Sequence, residues 1–87
     1  MINLSYKLKK EIFEEEENEI VEISAETDHR QSEIIFEKSS KPLAKTLTDN
    51  NGVAVCGFSP GNRKCIVKAT IGEETGQVTV PKYDDLE

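Results

Sequence analysis

Apolar and polar residues alternate along most of this chain, and the alternation restarts after each polar break. Ile2, Leu4, Tyr6 and Leu8 share one parity against Asn3, Ser5 and Lys7, the period-two signature of a strand. From Ile20 to Thr27 the pattern repeats, with Val21, Ile23, Ala25 and Thr27 facing a core and Glu22, Ser24 and Glu26 facing water. Ile34 and Phe36 mark a third strand within Ser32 to Glu37. Lys45 to Asp49 forms a fourth, with Leu47 inward and Thr46 and Thr48 outward. Val53 to Phe58 puts Ala54, Cys56 and Phe58 on one stripe, and Cys65, Val67, Ala69 and Ile71 form another. Val78 and Val80 point inward in the last strand, which Pro81 ends. About seven short strands, with turn signals at roughly 8–12-residue spacing, predict an all-β fold, an antiparallel β-sandwich.

The strongest turn signal is Asp49-Asn50-Asn51-Gly52. Asp and Asn hydrogen-bond their own neighbours and tolerate left-handed backbone, and Gly adopts positive φ without a Cβ clash. Asp49, Asn51 and Gly52 are therefore the structural turn residues, and the expected product is a hairpin joining Lys45–Asp49 to Val53–Phe58. Ser59-Pro60-Gly61-Asn62 and Gly72 to Gly76 predict two further turns, and Ser39 to Pro42 a loop, because Pro42 cannot donate to a ladder. Lys9 to Asn18 supports two readings. One is an extended strand that kinks into an acidic loop; the other is a helical turn supported by the Lys10–Glu14 spacing. The glutamates that follow repel one another and offer no apolar stripe, which favours the first.

Composition narrows the function. A chain of 87 residues is one small domain that buries only about 60–65% of its unfolded surface. The net charge of −6 leaves no basic patch for nucleic acid or an anionic membrane. Lys7, Lys9 and Lys10 are the one basic cluster, followed by five glutamates between Glu14 and Glu19. No apolar run approaches the roughly 20 residues that cross a bilayer. Met1 reads as an expression start and residues 86–87 as a vector-derived tail, so that residues 1–85 are a single domain excised from a larger protein.

The C-terminal half carries a family resemblance. Ile35-Phe36, then Leu47-Thr48-Asp49-Asn50-Asn51-Gly52-Val53-Ala54, Phe58-Ser59-Pro60-Gly61 and Val67-Lys68-Ala69-Thr70 resemble in order and spacing a prokaryotic immunoglobulin-like domain of the invasin/intimin type. The match runs from about Glu19 to Val80; Cys56, Cys65 and the acidic stretch depart from it. The resemblance implies an immunoglobulin-like sandwich serving as a spacer or display unit in a cell-surface or phage structural protein, often in tandem arrays, with neighbouring domains as partners. It transfers no catalytic residue.

Cys56 and Cys65 share inward parity on strands expected in opposite sheets. In the extracellular setting that the resemblance implies, a disulfide would tie the layers together for about 2.5–3 kcal/mol. The alternative is two buried thiols acting as small hydrophobes. Counting a calcium loop from Asp49 puts Val53, Ala54 and Pro60 where oxygen, glycine and glutamate are required, so Asp49 caps a turn and the glutamates form a solvated loop. His29 has no nucleophile beside it in sequence and reads as a loop residue, while Arg30, Lys38, Lys41 and Lys45 read as a solvated face. The expectation is no enzyme, no metal and no cofactor, with the isolated domain a monomer. A rival reading is a carbohydrate- or protein-binding module using loops 28–32, 38–44 and 72–76 at one end of the sandwich. Those loops lack an aromatic residue for stacking on a sugar.

Overall fold

Parity places the core before any tertiary contact is known. Residues 1–86 are described by a computed structural model. Its elements are β1 (Asn3–Phe13), β2 (Glu16–Glu26), β3 (Glu33–Lys38), β4 (Lys41–Leu47), β5 (Val53–Phe58), β6 (Cys65–Ile71), β7 (Glu74–Val80) and one helical turn, α1 (Tyr83–Leu86). They form an antiparallel β-sandwich with a three-stranded sheet, β1-β2-β5, and a four-stranded sheet, β4-β3-β6-β7. Val21, Ile23 and Ala25 of β2 lie fully buried against Ile34, Phe36, Val67 and Ala69 from the other sheet. Phe36 is the largest fully buried side chain, and burial of such a ring contributes about 1.5–3 kcal/mol. Leu86 packs against the core from α1, so this part of the expected tail is seated; Glu87 lies outside the described residues.

The predicted hairpin across Asp49–Gly52 is not one. Its turn forms, but its arms belong to different sheets: β4 pairs with β3, and β5 pairs with β2. The turn is a corner that carries the chain across the sandwich. Thr48 explains the difference. It is 2% exposed, and its hydroxyl donates to the His29 carbonyl at 2.6 Å and accepts from the Ser32 amide at 2.9 Å. These bonds fasten the corner to the β2–β3 crossover. The expected parity therefore reverses here, with Leu47 62% exposed and Thr48 inside.

Residues 9–18 are strand, turn and strand. Cross-strand charge is the cause: Lys10 Nζ lies 3.4 Å from Glu17 and 3.9 Å from Glu19, and Lys7 3.4 Å from Glu22. The glutamates that would repel in one helix meet lysines on a neighbouring strand, which stabilises a sheet pair. Glu14 and Glu15 turn the ribbon with φ of 52° and 69°, and Ser39 and Ser40 do the same between β3 and β4 with 51° and 68°. Two residues with positive φ make the mirror-image turn that matches strand twist. Neither pair carries the Asn-Gly signature, so the residues point to a loop at each place but not to its tight two-residue form. Pro42 sits inside β4 and not in a loop; β4 is an edge strand, and the register shifts between Phe36 and Glu37 beside it, the setting that tolerates proline. β7 begins at Glu74, so the last turn is shorter than expected.

A Cβ on Gly52 would stand 1.9 Å from the Thr27 carbonyl oxygen, at φ +76°. Gly52→Val is expected to lower unfolding free energy by about 2–4 kcal/mol, read as a shift in denaturant midpoint; an unshifted midpoint would place the restraint elsewhere. Replacing Glu14-Glu15 with Asn-Gly is expected to stabilise the fold by about 1 kcal/mol, measured as a raised Tm.

Candidate functional site

Polar side chains converge at the end of the sandwich where β1 begins. Asp49 accepts hydrogen bonds from the Asn51 amide at 2.8 Å and the Val53 amide at 2.9 Å through one carboxylate oxygen. The Gly52 amide donates to the Asp49 carbonyl at 3.0 Å, and the Thr27 amide donates to the Gly52 carbonyl at 2.9 Å. The carboxylate is thus occupied by its own turn. Asn51 contributes its backbone amide and Gly52 its conformation. Together Asp49, Asn51 and Gly52 build a corner and leave no open oxygen cage.

Beside that corner, Glu74 receives the N-terminal ammonium of Met1 at 2.9 Å and the Nε2 of His29. The ammonium, and after it His29, holds the Glu74 carboxyl below the usual carboxylate range, while the Glu74 carboxylate raises the amine. All three groups are exposed, so these contacts arrange a surface and contribute little to stability. His29 has a carboxylate beside it; of the neighbouring hydroxyls, Ser32 donates to the Arg30 carbonyl and Thr48 to the His29 carbonyl, and Cys65 lies at the other end of the sandwich.

The three loops proposed for binding do not gather at one end. Loops 28–32 and 72–76 share an end through His29 and Glu74, whereas 38–44 leaves β3 at the opposite end and is mostly strand β4. At that opposite end, the Lys38 ammonium sits 4.6 Å from the centre of the Phe58 ring. Lys38 is thus partly buried across the mouth of the core and is not part of a solvated face. Neither its contact nor the inward position of Thr48 carries a periodic signal in the sequence. The apolar residues at the ribbon tip, Ile12 and Phe13, are masked in the sequence by the glutamates around them.

Cys56 and Cys65 do fall in opposite sheets, but both are free thiols, and the expected disulfide is absent. Register accounts for this. Cys56 lies opposite Ile23, inside the level of Phe58, whereas Cys65 lies opposite Val80 and two residues outside Val67, the partner of Lys38. The Lys38–Phe58 contact lies at a level between them, and a stagger of even two residues is roughly 6.6 Å along the strands. Burial pushes the Cys56 thiol from 9.0 to about 11. It also raises Cys65, with Lys38 acting in the opposite direction.

Among the described residues, no group of three or more His, Cys, Asp or Glu side chains could hold a metal ion, and no helix is long and apolar enough to cross a membrane. No protein-family model, curated protein or solved structure matches the chain.

Thiol titration in denaturant without reductant is expected to count both cysteines as free. In the native protein, Cys56 is expected to alkylate slowly at neutral pH, since little of it is thiolate. Because its folded pKa is raised above the unfolded 9.0, its contribution to stability is complete below about pH 9. It is lost as pH rises towards 11. Cys56→Ala should flatten that part of the pH–stability curve.

Proposed function

We propose that this chain is a non-catalytic structural or display module, one immunoglobulin-like domain of a larger surface-exposed prokaryotic or phage protein. The observation that carries the reading is the placement of the first and last strands. β1 starts beside Glu26, next to the β2–β3 crossover, and β7 ends beside Cys65 at the other end. An odd number of antiparallel strands does this, and it lets copies or other domains follow one another lengthwise along a body of 38 × 26 × 19 Å. Neighbouring domains of the same chain are then the first partners, and no cofactor is required.

Mechanics support the same reading. Tension applied between the two ends runs along β1 and β7, so it loads the β1–β2 and β6–β7 ladders in shear, many hydrogen bonds at once. Both are long ladders, with eleven residues of β1 in register with β2. Tight turns and an internally bonded corner leave little slack.

Single-molecule pulling of the domain between two reference domains is expected to give one all-or-none event. The contour gain should be roughly 250 Å, from about 3.3–3.6 Å per residue less the folded length. Gradual extension at low force, with no discrete event, would overturn the spacer reading.

A further inference from the structure

The β1–β2 ribbon outruns the sandwich. β5 ends at Phe58, opposite Val21, so from Glu16 to Ile20 β2 has only β1 beside it. A two-stranded ribbon is marginal by itself in water, yet this one carries Ile12 at 80% exposure and Phe13 at 69%. β1 is also an edge strand. β1 runs close to β7 over part of its length, beyond the approach of Ile2 to Gly76, without hydrogen-bonding to it. No strand hydrogen-bonds the outer edge of β1 from Lys7 to Phe13.

That edge is complementary to itself. In an antiparallel pair about a two-fold axis normal to the sheet, residues of like parity meet across the strands. With the axis at Lys10, Lys9 of each copy faces Glu11 of the other on one face of the sheet, and the Lys7 stem meets the Phe13 ring. Leu8 faces Ile12 on the other face. The charge pair and the apolar pair each occur twice, by symmetry. The two Lys10 side chains meet at the axis, where each already has Glu17 and Glu19 of its own copy within 4 Å to offset its charge. Moving the axis to Glu11 sets Lys10 against Ile12 and Leu8 against Glu14. Moving it to Lys9 keeps a Lys7–Glu11 pair but sets Leu8 against Lys10 and Ser5 against Phe13. The register at Lys10 is therefore the one in which neither Leu8 nor Ile12 faces a charged side chain, with Phe13 lying against the Lys7 stem.

The geometry points to β1 as a self-recognition edge: a second copy of this chain pairs antiparallel along Lys7–Phe13 and joins the two three-stranded sheets into one. The pairing is isologous, so it closes at two copies and leaves no β1 edge to propagate. Lysines on an edge ordinarily discourage pairing. Here Lys9, which lies 3.7 Å from Glu11 and 3.5 Å from Glu22 of its own copy, gains Glu11 of the second copy as a further partner, so this edge favours a second copy of itself over other strands. The dimer replaces the expectation of a monomeric domain. It stands apart from the spacer reading, since a domain can resist force with or without a partner.

Sedimentation velocity on the full chain, from micromolar to millimolar, tests it. The expected result is a concentration-dependent dimer. Glu11→Lys should weaken it about tenfold or more, because two lysines then face each other at both symmetry-related positions, and adding Lys9→Glu should restore it. Circular dichroism checks that each variant remains folded. Lys10→Cys places a thiol on the axis and should cross-link under mild oxidation much faster than Lys7→Cys. A monomer up to millimolar concentration, a dimer indifferent to Glu11→Lys, or equal cross-linking at positions 7 and 10 would each overturn the proposal.

Discussion

The Thr48 hydroxyl joins two of the three places where the chain changes sheets, the β2–β3 crossover and the β4–β5 corner. It donates to the His29 carbonyl and accepts from the Ser32 amide, while the Thr48 amide itself bonds the Ser32 carbonyl at 2.9 Å. Gly52 presses against Thr27 just beside it, with room for a hydrogen and nothing larger. Everything in the sandwich depends on this junction, because β3–β4 and β5 would otherwise be free to pair as a simple meander. A buried hydroxyl left without these partners would cost about 1–3 kcal/mol. The fully satisfied arrangement selects the crossing over the hairpin.

The alternation made the inner faces of β2, β5, β6 and β7 legible from the residues alone, because each stripe faces a continuous core. Val21, Ile23, Ala54, Val67 and Val80 are buried where parity puts them. It failed at Leu47 and Thr48, where a hydrogen-bonding requirement overrides hydropathy. It also could not decide between hairpin and corner, since the Asp49–Gly52 code specifies a turn and says nothing about what the arms pair with. The free thiols follow from strand stagger, which parity does not contain. In the ribbon, the missing information was the partner strand: the glutamates look unstable by themselves and become ordinary once β1 supplies lysines.

The charge distribution has the same logic. Lys7, Lys9 and Lys10 are close in sequence to the glutamates, yet the turn at Glu14-Glu15 places them across a ladder. Each exposed ion pair contributes little, but together they favour one register over its neighbours. The acidic stretch therefore serves a structural purpose as well as solubility, and the apolar tip is held out from the body by a scaffold that is almost entirely polar.

The strand order also says something about how the chain reaches this state. β1–β2, β3–β4 and β6–β7 are each closed by a short local turn, so three hairpins can form quickly from neighbours in sequence. β5 alone has no adjacent strand as a partner and must find β2 across some thirty residues, a pairing whose loop entropy is lost before any contact offsets it. Docking of the Thr48–Gly52 corner is therefore the step at which topology is decided. Until it occurs, β2 exposes the same backbone edge that β5 will cover, and a fully formed β1–β2 hairpin waits with its apolar face open.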